Sequence, residues 1–142
     1  MQRHLTADPA TTIIVFAHGS RLPEANASIA RLAAEIARQS GIPATAAFLE
    51  IAQPDLGSCV AEAVAAGARR IVIAPAFLTV GRHATEDLPR LTREQQKIFP
   101  GVEIVCAESL EGHPALASLL LDRVSAALQP SSATIRSDQS GE

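Results

Sequence analysis

Tryptophan and tyrosine do not occur in this 142-residue chain, and phenylalanine occurs only four times. Proteins that hold single-stranded nucleic acid stack its bases on aromatic rings, so such scarcity argues against that platform. An excess of positive charge is missing too. Twelve Lys and Arg face fifteen Asp and Glu, a formal net charge of −3. No basic field is available to draw in nucleic acid or an anionic membrane. Cysteine is nearly absent: Cys59 and Cys106 lie far apart and form no CxxC. A disulfide framework or a four-thiolate metal site is therefore unsupported. No apolar run approaches the ~18 residues of a membrane span. The opening "MQRHLTADPATT" contains no apolar core of signal-peptide length, so the cytoplasm is the expected compartment.

What remains is the composition of a soluble globular protein, 47% hydrophobic and 19% charged, of a length suited to one domain. Its apolar pattern alternates between two types. "TTIIVFA" (11–17), "RIVIAPAF" (70–77) and "VEIVCAE" (102–108) are short, nearly continuous apolar runs rich in Ile and Val. Such runs suit strands buried on both faces, as in a parallel sheet. "ATAAFLE" (44–50) reads as a strand by position more than composition, since alanine has little β propensity.

Helical spacing fills the gaps. Ala25, Ile29, Leu32, Ala33 and Ile36 make one face of a helix that ends at Gly41. "LGSCVAEAVAAG" (56–67) reads as a second helix ending at Gly67. Leu88, Leu91, Gln95 and Ile98 mark a third, with Asp87 as its N-cap, Pro89 in its first turn and Pro100 beyond its end. Leu116, Leu119, Leu120, Val124 and Ala127 mark a fourth. The order β-α-β-α-β-α-β-α with right-handed crossovers predicts an α/β fold: one three-layer domain, a four-stranded parallel sheet with helices on both faces. Residues 1–11 form an N-terminal extension, 12–128 the α/β domain, and the polar 129–142 a mobile tail.

In open sheets of this kind, ligands bind beyond the carboxyl ends of the strands where strand order reverses. His18 follows the first strand, Glu50 ends the second, and His83 lies just past the third. With strand order 2-1-3-4 the three converge. Two imidazoles and a carboxylate suit a divalent transition metal, and imidazoles also accept protons near neutral pH. A single histidine at a strand end is more often a hydrogen-bonded structural group; three polar residues at three equivalent ends shift the balance towards function. Gly19 and Gly81 let the backbone turn beside each histidine. Ser20 suits a helix cap better than a ligand contact. Arg21 and Arg82 can pair with substrate carboxylates or lie as solvated charges. Phe77, Leu78 and Val80 offer walls for a flat ligand or belong to the core. His4 lies in the terminal extension, and His113, at the start of the fourth helix, reads as structural.

"HGSR" after the first strand, "FLE" ending the second and "PAFLTVGRHATEDLP" after the third resemble the short sirohydrochlorin cobaltochelatases. These belong to the class II tetrapyrrole chelatases, and the resemblance runs from about Thr12 to Leu128. It implies a half-size chelatase unit, paired as a homodimer, that inserts a divalent metal into sirohydrochlorin. The metal is a substrate, cobalt(II) foremost with iron(II) or nickel(II) as alternatives, and no organic cofactor is expected. The family's metal-binding and catalytic residues match His18, His83 and Glu50. Ser20, Arg21, Phe77, Leu78, Gly81 and Arg82 are the expected substrate contacts. There is no histidine-rich tail and no cysteine cluster for an iron–sulfur centre.

Two other functions use the same residues. A non-catalytic tetrapyrrole or metal carrier would bind through the three ligands without raising the insertion rate. A hydrolase with Ser20 as nucleophile is disfavoured, because the chain lacks the GxSxG elbow that exposes such a serine. A histidine phosphotransferase lacks a Gly-rich phosphate loop beside "HGSR".

Overall fold

The structure, a computed structural model, describes residues 10–78 and 82–130, with 82–85 described by backbone alone. Four strands and four helices alternate: β1 (Thr11–Ala17), α1 (Pro23–Ser40), β2 (Ala44–Phe48), α2 (Leu56–Ala65), β3 (Arg70–Pro75), α3 (Arg82–Ile98), β4 (Glu103–Cys106) and α4 (Ala115–Leu128). The strands form one parallel sheet in the order β2-β1-β3-β4. This is the α/β architecture expected from the alternation of patterns. The chain divides into two compact units, Met1–Glu111 and Gly112–Glu142.

In the first unit β1 is the central strand, and its side chains serve two cores. Ile14 and Phe16 join Leu56, Cys59 and Val60 of α2, Leu88 of α3, and Ile71 and Ile73 of β3. Ile13 and Val15 point the other way and pack with Ala33 of α1 and Ile42. Period-two alternation with both faces covered explains why β1 reads as an unbroken apolar run. In β2, Ala44 and Ala46 pack against the second core while Ala47 is fully buried in the first. Pairing with β1, from Ile13↔Ala44 to Ala17↔Phe48, outweighs the poor strand propensity of alanine.

Helix α1 ends where expected, with Gly41 in the left-handed region at φ 73°. Helix α2 begins at Asp55, whose carboxylate accepts the Ser58 N–H at 2.8 Å. That bond, with the Ser58 hydroxyl second, holds the Asp55 carboxyl below its ordinary pKa. A depressed native pKa means the cap stabilises at neutral pH and is lost as pH falls through that lowered value. Asp55→Ala should cost about 1 kcal/mol at neutral pH, while Asp55→Asn costs much less. In urea melts the gap between wild type and Asp55→Ala should be constant well above pH ~4 and narrow below it. A gap that persisted unchanged at the acid end would rule out the carboxylate cap.

Helix α3 departs from the sequence reading. It starts at Arg82, so Asp87 is not an N-cap and Pro89 lies inside the helix. Asp87 instead accepts from Arg90 Nη2 at 3.3 Å, one residue past the proline. The stripe also shifts: Leu88 is buried and Leu91 packs on the core, but Ile98 is exposed and Phe99 packs in its place. Gln96 then ties α3 to the edge strand β4. Its amide donates to the Phe99 and Val102 carbonyls at 3.1 and 2.6 Å and accepts the Ile104 N–H at 3.0 Å.

The second unit contains α4. Its N-terminus is closed by His113, whose Nδ1 accepts the Ala115 N–H at 3.0 Å, the structural role its position suggested. None of the helix is buried. Leu119, Leu120 and Val124 of the expected stripe are exposed, as are Leu121 and Leu128.

Candidate functional site

Strand order reverses between β1 and β3, which places the carboxyl end of β1 at the switch point of the sheet. His18 is the first residue beyond β1 and Glu50 lies two residues beyond β2, its hydrogen-bonded neighbour. Their backbones are joined. The Leu49 N–H donates to the Ala17 carbonyl at 2.9 Å and the Glu50 N–H to the His18 carbonyl at 3.0 Å. The parallel ladder thus runs past the formal strand ends and brings the two residues together.

Gly19 makes this approach possible. Its φ is +92°, and a Cβ there would lie 2.0 Å from the Glu50 carbonyl oxygen. Only glycine satisfies both demands. Beyond Glu50 the chain reverses at once: the Ala52 N–H donates back to the Glu50 carbonyl at 2.7 Å, across Ile51 at φ 71°.

The His18 imidazole is exposed and leans on Phe77, with ring centroids 4.4 Å apart and planes at 38°. Phe77 is buried and meets Phe16 edge-on at 6.3 Å. The aromatic stack therefore runs from the core to the histidine, and fixes one face of the imidazole while leaving its edge in solvent. Phe77 belongs to the core, the alternative its sequence position left open, whereas Leu78 beside it is exposed.

Ser20 is a turn residue here. Its hydroxyl accepts the Leu22 N–H at 3.0 Å just before α1, whose N-cap Leu22 has no side-chain cap. Asn26 clamps the same residue from α1: Oδ1 accepts the Ser20 N–H at 2.9 Å, and Nδ2 donates to the Ser20 carbonyl at 2.7 Å. Sequence reasoning missed Asn26; the available signal was an asparagine in the first turn of a helix, where its competing backbone bonds are normally unfavourable. Arg21 is exposed and pairs with no other described residue.

Arg82 and His83 are the first two residues of α3, and their side chains lie outside the described residues, as do Gly81, Val80 and His4. Among the described residues no group of three His, Cys, Asp or Glu side chains is placed to hold a metal. His18 and Glu50 are joined through their backbones, and the side chain of the third expected ligand, His83, lies outside the described residues. The cysteines offer no substitute. Burial pushes both thiols up and keeps them protonated, and Cys59 Sγ donates to the Ala46 carbonyl at 3.4 Å. An open depression lined by Gln96, Pro100, Gly101, Val102 and Glu103 lies at the amino end of β4, the wrong end of the strands for this chemistry.

The sequence profile of the CbiX family matches residues 12–127. The chain belongs to the CbiX family. Among curated relatives, the chain is 33% identical to the chloroplastic sirohydrochlorin ferrochelatase of Arabidopsis thaliana over 79% of its length, which spans 50% of that protein. It is 34% identical to the sirohydrochlorin cobaltochelatase of Methanocaldococcus jannaschii over 56% of each chain. This CbiX chain therefore covers only about half the length of those two relatives. It covers 97% of the crystal structure of a CbiX protein from Marinobacter aquaeolei VT8, at 30% identity and a TM-score of 0.74. No helix among the described residues is long and apolar enough to cross a membrane.

Proposed function

We propose that this CbiX chain inserts a divalent metal ion, cobalt(II) foremost, into sirohydrochlorin, and that it works in the cytoplasm as a homodimer. The observation that carries the reading is the backbone pairing of His18 with Glu50 at the switch point, with the imidazole edge open to solvent. The relatives named for sirohydrochlorin chelation, one for iron and one for cobalt, support the substrate and leave the metal to be chosen by experiment. Affinity order alone does not choose among cobalt, iron and nickel on such ligands.

Metal insertion requires the inner pyrrole N–H protons to leave as the metal enters. In this reading His18 presents the metal or accepts a proton, His83 takes the complementary part, and Glu50 balances the metal's charge. An incomplete ligand set suits a site that must release its ion. Sirohydrochlorin is rich in carboxylates, which gives Arg21 and Arg82 partners for bidentate bonds, with Ser20, Gly81 and Leu78 as further substrate contacts implied by the resemblance. Phe77 contributes indirectly, by backing the His18 ring. The homodimer is what the resemblance to half-size chelatase units implies.

The test is anaerobic absorbance of sirohydrochlorin with cobalt(II), with and without protein, alongside sedimentation at the assay concentration. Product should form faster with protein, and the sedimenting mass should be twice the 14.9 kDa of one chain. A rate equal to the uncatalysed one would end the enzyme reading. Macrocycle or metal binding without turnover would then point to a carrier.

A further inference from the structure

Ile51 stands directly after Glu50 in a conformation that isoleucine avoids. The Ala52 N–H reaches back to the Glu50 carbonyl at 2.7 Å across a φ of 71° at Ile51. A bond from residue i+2 to residue i over a positive φ is the rarer, strained form of γ-turn. It is also the only positive φ at a non-glycine among the described residues. For a β-branched side chain this is an outlier, and glycine or asparagine would adopt it with less strain. Strain of this kind is ordinarily offset by burial of the side chain. Here it is not, because Ile51 is 62% exposed.

The neighbouring loops carry the same feature. Leu22, beyond β1, is 68% exposed, and Leu78, beyond β3, is 67% exposed. In sheet order β2-β1-β3, the segment after each of three adjacent strands therefore holds one large exposed apolar side chain, and the segment after β1 also holds the exposed His18. None of the three contributes to either hydrophobic core. A ligand with broad apolar faces and an anionic edge matches exposed apolar side chains on the same strand-end segments that hold a histidine and a carboxylate.

We infer that Ile51 is a substrate-contact residue, held on its strained turn so that its side chain meets the apolar face of the macrocycle beside Glu50. The inference rests on the proposed function and deepens it. Glycine and asparagine at this position relieve the turn while removing the apolar contact, which separates the contact from the fold. Ile51→Gly and Ile51→Asn should melt at the same temperature as wild type or higher. Their Kd for sirohydrochlorin alone, from absorbance titration, should rise about tenfold, the worth of partly burying one aliphatic side chain. Their Kd for cobalt(II) alone should stay unchanged, and Ile51→Val should bind macrocycle as wild type does. Unchanged macrocycle affinity in both variants would overturn the inference and leave the chelatase reading intact. Joint loss of macrocycle and cobalt binding would also overturn it, since the turn would then only position Glu50. If wild type bound no macrocycle, the functional reading would fail first and this one with it.

Discussion

His18→Ala should lower the rate of cobalt insertion by about 10²- to 10⁴-fold, the usual contribution of a positioned proton-transfer group. The fold should survive, because the ring is exposed and its one described ring contact is with Phe77. Its melting transition should stay within about 0.5 kcal/mol of wild type, as for a surface substitution. Initial rates at rising cobalt(II) divide the possible roles. If high metal restores the rate, His18 holds the ion on its way in. If the rate stays low at saturating metal, His18 accepts the departing proton. A folded His18→Ala protein with wild-type rates would remove the switch point from the mechanism altogether.

Gly19→Ala is expected to have the largest effect on stability, and it reaches the site by another route. Two costs combine: a left-handed φ for a residue with a Cβ, about 1–2 kcal/mol, and overpacking against the Glu50 carbonyl, about 1–3 kcal/mol. The second cost cannot be relieved by a rotamer change, since the obstacle is backbone that also bonds His18. Gly41 and Gly67 provide controls. Both have positive φ, at +73° and +99°, but a Cβ at either meets nothing within 4 Å. Gly41→Ala and Gly67→Ala should therefore show the conformational cost alone, and urea melts should place Gly19→Ala well below them. Insertion activity should fall in Gly19→Ala and hold in the controls. Equal losses of stability in all three would mean that the Gly19–Glu50 contact does not constrain the site.

Much of the frame is legible along the chain. The β1 run 11–17 coincides with the observed strand, and β3 and β4 lie within their apolar runs, because strands covered on both faces must be apolar nearly throughout. Gly41 marks the end of α1 because few other residues take its φ. The start of α3 was obscured by Asp87 and Pro89, whose spacing imitates an N-cap and first turn although both lie inside the helix. In that segment the Asp87–Arg90 pair and the packing of Leu88 agree with a continuous helix. The stripe of α4 is equally readable, yet periodicity says only that a face is apolar and not what covers it.

The residue types at the strand tips, the alternation of strands and helices, and the open ends of the parallel strands were determined by the sequence itself. Each is written in neighbours along the chain, through side-chain period, propensity and turn chemistry. Tertiary structure decided the rest. It set Glu50 against Gly19, buried Phe77 behind the His18 ring while leaving Leu78 outside, turned Asn26 onto Ser20, and forced Ile51 through a positive φ. Those outcomes depend on which strand lies beside which, and that order follows from burying two hydrophobic cores at once, a long-range balance that no local pattern encodes.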